Sequence, residues 1–352
     1  MLSLEELPLV SRYAPYVVQT VGNAVSAPCG DYARFLLTRR LLRKALIHRL
    51  QDDGGTAVLF EDVYTSFPVG VPSLTIVHAV QSDNVYQHSL TVSALRRVRS
   101  WDRAAVMRLK VPAATVSHEY RRHIAKALGE DAAMRLGVIP LGIDLEEFPE
   151  TPHARPAAVF GLVCLGRLEA RKNIRFLFEV LSKVVSAGCS RVRLTFLGDG
   201  PLRATLEAEA HRRRVSHVVH FAGSVSPTNV PMALQRHHML LHPSLRESFG
   251  YALLEAKVSG LHTVASNNVE VPGDFVDIAL PLDADTWARE IVRAYAAWDR
   301  GLFRFPSSES LTWLRNRYSI QRMVDSYLAV LLGNSLVPER RRHLGVYASK
   351  TG

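Results

Sequence analysis

Two glutamates flank a glycine in the stretch HPSLRESFGYALLEA, and their spacing could hold a phosphorylated ligand. Glu247 lies in a polar loop, and Glu255 follows eight positions later inside an apolar stretch. Gly250 lets a backbone approach a ligand closely, and the amides from Tyr251 to Leu254 fall in the first turn of a predicted helix. Such amides, with the helix dipole, suit a phosphate. The order of carboxylate, glycine, helix start and carboxylate therefore suits a ligand that joins a polyhydroxyl group, a diphosphate and a ribose.

The flanking apolar runs place this motif in a fold. An apolar run ends just before His242, and a second one covers residues 263–265, so the pattern predicts strand, loop, helix and strand. In open parallel sheets ligands bind at the carboxyl ends of strands. Two isolated acids would more often be solvated surface residues. The combination of two glutamates, a glycine and flanking strands is a more specific signal than the two acids alone. It predicts that Glu255 binds ribose hydroxyls while Glu247 holds a second polyhydroxyl group.

Composition narrows the class of protein. The 352 residues are 47% hydrophobic and 22% charged, which is typical of a globular chain with about two domains. No apolar run reaches 18 residues and the first residues carry an acidic pair, so neither a membrane span nor an export signal is expected. Three cysteines, Cys29, Cys164 and Cys189, stand at no metal-like spacing and fit a reducing cytoplasm.

The formal net charge of +10 predicts an affinity for anions. A diphosphate ligand, an anionic membrane surface and nucleic acid are all compatible with charge alone. The basic residues are spread among helices and tail without a nucleic-acid motif, which argues against that partner. A helix predicted after Asp31 carries Leu42, Leu46 and Leu50 on one face and basic residues on the other. It suits peripheral contact with an anionic membrane, although a merely solvated face is the alternative.

Strands alternate with helices in both halves of the chain. This alternation predicts two doubly wound, Rossmann-like α/β domains that face a cleft. The proline-containing segment 150–157 is expected to link them. The predicted parts are a first domain, a second domain, a C-terminal helix that crosses back to the first domain, and a basic tail, over residues 1–150, 151–310, 311–333 and 334–352.

Polar and glycine residues follow several predicted strands. Arg167 and Lys172 come after an apolar run and offer two cations to a diphosphate, although a basic loop of this kind is often only solvated. Lone glycine turns at the ends of the next two strands are weak signals of phosphate binding. In the first half, His78 ends a predicted strand over 73–79 and precedes a polar loop. A lone histidine at such a place is more often a partly buried imidazole with satisfied hydrogen bonds.

The segment Glu247-Ser-Phe-Gly-Tyr-Ala-Leu-Leu-Glu255 resembles the E-x7-E signature of retaining glycosyltransferases of the GT-B fold, in particular glycosyltransferase family 4. The segments GRLEARKNI, GDG and FAG in the second half resemble the diphosphate-binding and nucleotide-binding segments of the same family. The resemblance implies the transfer of a hexose-type sugar from a nucleotide-diphosphate donor to an acceptor hydroxyl with retention of configuration. It implies neither a metal nor a further cofactor, and the acceptor could be a small molecule, a glycan or a lipid.

The resemblance also implies roles for single residues. The implied catalytic residues are His78, Arg167, Lys172 and Glu247. The implied sugar-donor site consists of Gly166, Gly198, Gly223, Ser224, Phe249, Gly250, Tyr251, Leu254 and Glu255. The implied acceptor site consists of Gln81, Asp83, Asn84 and Tyr86.

The chain departs from the family pattern in two places. Asn267 and Asn268 stand where a pair of glycines usually follows the last strand, so the sugar and base preferences of the family are not carried over. The N-terminal half is short, and Gly22 to Gly30 is the only counterpart of its usual glycine-rich loop. Three alternatives stay open: a catalytically inactive protein that binds sugar nucleotides, a sugar-nucleotide epimerase of the same fold with its own acid and base residues, and a phosphorylase of the same fold.

Overall fold

The computed structural model describes residues 58–60, 66, 72–80, 83, 92–148 and 158–333. Within these ranges the chain forms two parallel β-sheets, one in each half, with helices between the strands. The prediction of two Rossmann-like α/β domains is confirmed. No helix in these ranges is long and apolar enough to span a bilayer. The predicted basic helix after Asp31, the glycine-rich loop before it, the linker and the tail lie outside the described residues.

The first sheet has four parallel strands in the order β1-β2-β3-β4. They are Val58–Phe60, Ser73–Val77, Ala113–Thr115 and Gly137–Val138. The helices that accompany them are α1 (Val92–Met107), α2 (His118–Leu128) and α3 (Glu130–Met134). All five residues of β2 are buried, as is typical of an inner strand covered on both faces. Helix α2 begins after Ser117, whose hydroxyl caps it by accepting a hydrogen bond from the Tyr120 amide at 2.9 Å.

The second sheet has six parallel strands in the order β10-β9-β8-β5-β6-β7. They are β5 (Phe160–Leu165), β6 (Val192–Leu197), β7 (Val219–Gly223), β8 (Met239–His242), β9 (His262–Ser266) and β10 (Ile278–Leu280). Its helices are α4 (Arg175–Ser186), α5 (Arg203–Arg212), α6 (Val230–Leu234), α7 (Tyr251–Val258) and α8 (Ala284–Asp299). The chain leaves β5 in one direction through β6 and β7 and returns on its other side with β8. A crevice for ligands therefore opens between the ends of β5 and β8.

The predicted C-terminal helix over 311–333 is wrong as a single element. The structure has two helices, α9 (Ser308–Arg317) and α10 (Ile320–Leu331). The break occurs because Ile143 of the first domain bonds to the backbone there: its amide donates to the Tyr318 carbonyl at 2.8 Å, and its carbonyl accepts from the Ile320 amide at 3.0 Å. Ser319 then caps α10. The chain thus returns to the first domain at this break, and α10 packs near β2.

Two glycines at the strand ends let the loops after β5 and β6 come together. Gly198 has a φ of 140°, and a Cβ atom built on it would lie 2.1 Å from the Gly166 carbonyl oxygen. The Gly166 amide in turn donates to the Leu197 carbonyl at 2.9 Å. Only a residue without a side chain fits this approach, so the glycines set how closely the two loops line the crevice.

We expect Gly198→Ala to destabilise the protein strongly, because both the positive φ and the backbone contact oppose a Cβ. The cost should reach at least about 3 kcal/mol of unfolding free energy. Gly188→Ala is a matched control, since Gly188 also has a positive φ, 90°, but nothing within 4 Å of its Cβ position. It should cost about 1 kcal/mol. Urea denaturation followed by circular dichroism measures both, and equal costs would contradict the close approach.

Candidate functional site

The carboxyl edges of the two sheets face each other. The Ser117 hydroxyl, after β3, donates to the Ser248 carbonyl at 3.2 Å. The Tyr251 hydroxyl, at the start of α7, donates to the Gly142 carbonyl at 3.2 Å, in the loop after β4. Both contacts join a strand-end loop of the first domain to the segment between β8 and α7. The E-x7-E segment therefore lies in the cleft between the domains.

Glu247 is held by two cations from the loop after β5. Its carboxylate accepts hydrogen bonds from Lys172 Nζ at 2.8 and 3.3 Å and from an Arg171 guanidinium nitrogen at 3.1 Å. The Glu247 and Lys172 side chains are only 11% and 13% exposed, whereas Arg171 is 34% exposed. Burial alone would raise the pKa of Glu247, but Lys172 chiefly holds it below its usual value. The carboxylate is therefore ionised at neutral pH.

This cluster joins the two strand ends that border the crevice. The sequence singled out Lys172 and Glu247 separately, and the structure brings them into direct contact. It adds Arg171, which the sequence analysis missed and which also contacts Glu169 at 3.1 Å. The basic run Arg171-Lys172 after a strand was the available signal. Arg167 is exposed, and no hydrogen bond or ion pair joins its side chain to the described residues, so it is open to an anionic ligand.

Helix α7 begins at Gly250, whose φ of 83° is left-handed. A Cβ atom there would lie 2.9 Å from a Val271 methyl group, so the position suits glycine. The amides of Leu253 and Leu254 already donate to the Gly250 carbonyl at 2.9 and 3.2 Å. The expectation that the Leu254 amide faces a phosphate is therefore wrong, and its side chain is fully buried. Within the first turn, the amides near Tyr251 and Ala252 are the ones left for a ligand.

Glu255 lies in the second turn of α7, where burial raises the pKa of its carboxyl to about 7 and the nearby Glu147 adds to that effect. No described cation forms an ion pair with it. A partly buried carboxyl without a cationic partner is costly in its charged form. Hydroxyl groups that donate to it would offset this cost, which is the interaction that a ribose offers.

The glycines at the ends of β5, β6 and β7 lie side by side. The Gly198 amide donates to the Gly223 carbonyl at 2.8 Å, next to the Gly166 contact described above. Ser224 follows directly and is exposed. Phe249, in contrast, is 3% exposed and packs edge-on against Phe275, so its side chain belongs to the core. Its predicted contribution to a donor site is thus limited to its backbone.

A depression beside the cluster of Glu247, Lys172 and Arg171 contains buried polar groups. It is lined by the ends of β5 and β8, including Arg167, Lys172, His242 and Ser244. His242 Nε2 and Ser244 Oγ are buried without a hydrogen-bond partner among the described residues. Burial lowers the pKa of His242 to about 4, so its imidazole is neutral at neutral pH.

The first-domain side of the cleft is only partly described. His78 is half-buried directly after β2, at the edge that faces the second domain. The structure gives no contact that tests its predicted role. Gln81, Asn84 and Tyr86 lie outside the described residues.

Asp83 is described, and it is not open to an acceptor as predicted. Its carboxylate is engaged by Tyr120, by His123 at 2.9 Å and by Arg246 at 2.6 Å. The side chain is 9% exposed. Among the described residues no group of three or more His, Cys, Asp or Glu side chains could hold a metal ion.

Comparison with known proteins supports the assignment of the second domain. Residues 152–278 match the family model "Glycosyl transferases group 1". The phosphatidylinositol N-acetylglucosaminyltransferase gpi3 subunit of Schizosaccharomyces pombe is 33% identical over 138 residues, 39% of this chain and 30% of its own length. The chain spans no more than half the length of the first three curated relatives that it matches.

Solved structures extend the likeness to more than four fifths of the chain. A glycosyltransferase from Rickettsia africae superposes with a TM-score of 0.64 at 14% identity, over 86% of this chain and 82% of its own. Anabaena HepE, in complex with UDP and glucose, gives a TM-score of 0.62 at 15% identity over 83% of each chain. At this identity the likeness is one of fold. The chain therefore has the GT-B fold of glycosyltransferases, and its residues 152–278 are similar to the group 1 glycosyl transferases.

Proposed function

We propose that this protein is a retaining glycosyltransferase that moves a hexose-type sugar from a nucleotide-diphosphate donor to an acceptor hydroxyl without a metal ion. The observation that carries the proposal is the arrangement between β5 and β8. There Glu247 forms ion pairs with Lys172 and Arg171. The start of α7 comes next in the chain, and Glu255, which has no ion pair among the described residues, lies one helix turn further on. A family 4 glycosyltransferase would need these groups for sugar, diphosphate and ribose.

The proposed chemistry requires negative charge to be stabilised on the departing diphosphate. Arg167 and Lys172 would bind the phosphate oxygens, and the free amides at the start of α7 would add to their field. Because these groups are fixed before the sugar bond breaks, they need little reorganisation as charge develops. Arg171 is placed to help keep Glu247 ionised when Lys172 also binds the phosphates.

The sugar and the nucleoside would bind on opposite sides of the diphosphate. Ionised Glu247 would accept hydrogen bonds from sugar hydroxyls, with His78 reaching the same sugar from the first domain. Glu255 would accept from the ribose, and the glycine edge of Gly198 and Gly223 would let the base approach the backbone. The acceptor hydroxyl would attack on the face that the leaving group vacates, and a phosphate oxygen would take its proton. Configuration would then be retained.

The names of relatives support sugar nucleotides and lipids as ligands. HepE was solved with UDP and glucose. The gpi3 subunit is named for N-acetylglucosamine transfer to phosphatidylinositol. We therefore extend the proposal to peripheral contact with an anionic membrane, where a lipid acceptor would lie. On α1, Arg96, Arg97 and Arg103 are exposed and add to the predicted basic helix.

A cytoplasmic location completes the proposal. Two of the three cysteines, Cys164 and Cys189, are described, and both are free and buried. Free thiols are typical of a reducing compartment. The nucleotide-sugar donor is expected in the same compartment under this proposal.

A panel of nucleoside diphosphates tests the sugar-donor site. UDP, GDP and ADP should be titrated in thermal-shift assays against the wild type, Glu255→Ala and Glu179→Ala. A nucleotide at ~100 times its dissociation constant should stabilise the wild type by about 2.7 kcal/mol. Glu255→Ala should lose most of this shift, because the ribose would lose its acceptor. Glu179 lies in the same domain with a 48% exposed side chain, so its variant should behave as the wild type. The absence of any nucleotide effect on the wild type would refute the site.

Nucleotide affinity should also depend on pH through Glu255. With a pKa near 7, its carboxyl is mostly neutral at pH 6 and ionised at pH 8, and only the ionised form accepts two ribose hydroxyls. Affinity should therefore rise by about tenfold between these pH values. Calorimetric titration of Glu255→Gln supplies the control, because the titration of the nucleotide itself is common to both proteins. An identical pH slope in the variant would contradict the role of Glu255.

A further inference from the structure

His123, on α2 of the first domain, lies between two carboxylates that come from different domains. Its Nε2 is 2.9 Å from an Asp83 oxygen, and its Nδ1 is 3.0 Å from an oxygen of Glu270, in the loop after β9. The His123 side chain is 11% exposed and Asp83 is 9% exposed. Tyr120 stacks on the imidazole with ring centroids 5.5 Å apart. The imidazole is therefore held in place, and each of its nitrogens has a carboxylate partner.

The geometry determines the charge of this imidazole. An ionised carboxylate only accepts hydrogen bonds, so both ring nitrogens must donate, and this requires the imidazolium form. Arg246 adds a second cation 2.6 Å from Asp83. With two carboxylates and two cations, the buried group is neutral only while His123 is protonated. A neutral ring would leave one carboxylate without its hydrogen bond, which is costly at this burial.

The same residues lead directly to the proposed sugar-binding carboxylate. Arg246 is the chain neighbour of Glu247, and the Glu270 amide donates to the Glu247 carbonyl at 3.0 Å. We infer that the ionic bridge Asp83–His123–Glu270, together with Arg246, clasps the first domain onto the Glu247 loop and makes His123 a positioning residue for the sugar donor. The clasp itself follows from contacts between the domains. Its effect on donor binding rests on the proposed function.

The clasp should open at alkaline pH. Hydrogen bonds with Asp83 and Glu270 raise the pKa of His123 to about 9. When the domains separate, the ring loses Glu270 but keeps Asp83, so its pKa falls from this value and stays above the ordinary 6.5. Its contribution to closure is thus complete below the pKa of the separated state, declines above that pKa and is lost as the pH passes about 9. The other groups that face the ring keep their charge in this window: Asp83 has a lowered pKa, and Tyr120 has one well above its usual value.

Small-angle X-ray scattering tests the clasp without any substrate. The radius of gyration should be measured from pH 6 to pH 9.5 for the wild type, His123→Asn and Arg122→Gln. The wild type should expand as the pH rises toward 9, and His123→Asn should be expanded throughout. Arg122 is the preceding residue on α2 with a 64% exposed side chain, so Arg122→Gln should follow the wild type. If His123→Asn fails to fold, Glu270→Gln takes its place in the test. Glu270→Gln should also have a larger radius of gyration than the wild type at pH 6.

Nucleotide binding then tests the consequence for the site. His123→Asn should bind UDP or GDP about five- to tenfold more weakly than the wild type at pH 7, and the gap should close near pH 9.5. Identical scattering of the wild type, His123→Asn and Glu270→Gln at every pH would overturn the clasp. If the clasp variants expand but no nucleotide binds the wild type, the proposed function fails while the clasp stands. If they expand and bind nucleotide as tightly as the wild type, the positioning role is refuted.

Discussion

The buried carboxylate of Glu247 is the constraint on which this cleft depends. A carboxylate that is only 11% exposed must be paired, and here its partners come from the loop after β5 while Glu247 itself follows β8. The pairing therefore fixes the two strand ends at the point where the order of the sheet reverses. The same interaction keeps Lys172 at the proposed phosphate position and Glu247 ionised. One ion pair thus organises both halves of the proposed sugar-donor site.

Around the Glu247–Lys172 ion pair, main-chain groups provide the remaining surface of the proposed sugar-donor site. The glycines at the end of β6 and at the start of α7 stand where a Cβ atom would clash, and those at the ends of β5 and β7 have positive φ angles. Main-chain groups are therefore left uncovered at these four positions. On the opposite wall, loops after β2, β3 and β4 contact the segment between β8 and α7. The domain contacts and the ligand groups therefore share one short segment. A movement between the domains would therefore change the position of Glu247.

Local patterns in the sequence predicted local structure well. The apolar runs marked β5 and β8, and Ser117 and Asp283 are of residue types that commonly cap helices, as they do here. The break at Ser319 was missed because it depends on pairing with Ile143, far away in the chain. The partners of Asp83 were missed for the same reason: Arg246 lies 163 positions away. Contacts of this kind leave no periodic trace, so the sequence indicated the cleft residues without their pairings.

The turnover of a sugar donor by Lys172→Ala is the most direct test of the account. With the donor base known, release of the nucleoside diphosphate should be followed at saturating nucleotide sugar in the wild type, Lys172→Ala and Lys183→Ala. Lys183 also forms an ion pair, with Asp285, but on the surface of the same domain. We expect Lys172→Ala to lower kcat by about 10²- to 10³-fold, because a group that stabilises charge in the transition state is lost. The kcat of Lys183→Ala should equal that of the wild type. Equal kcat values in all three proteins would contradict a catalytic site between β5 and β8.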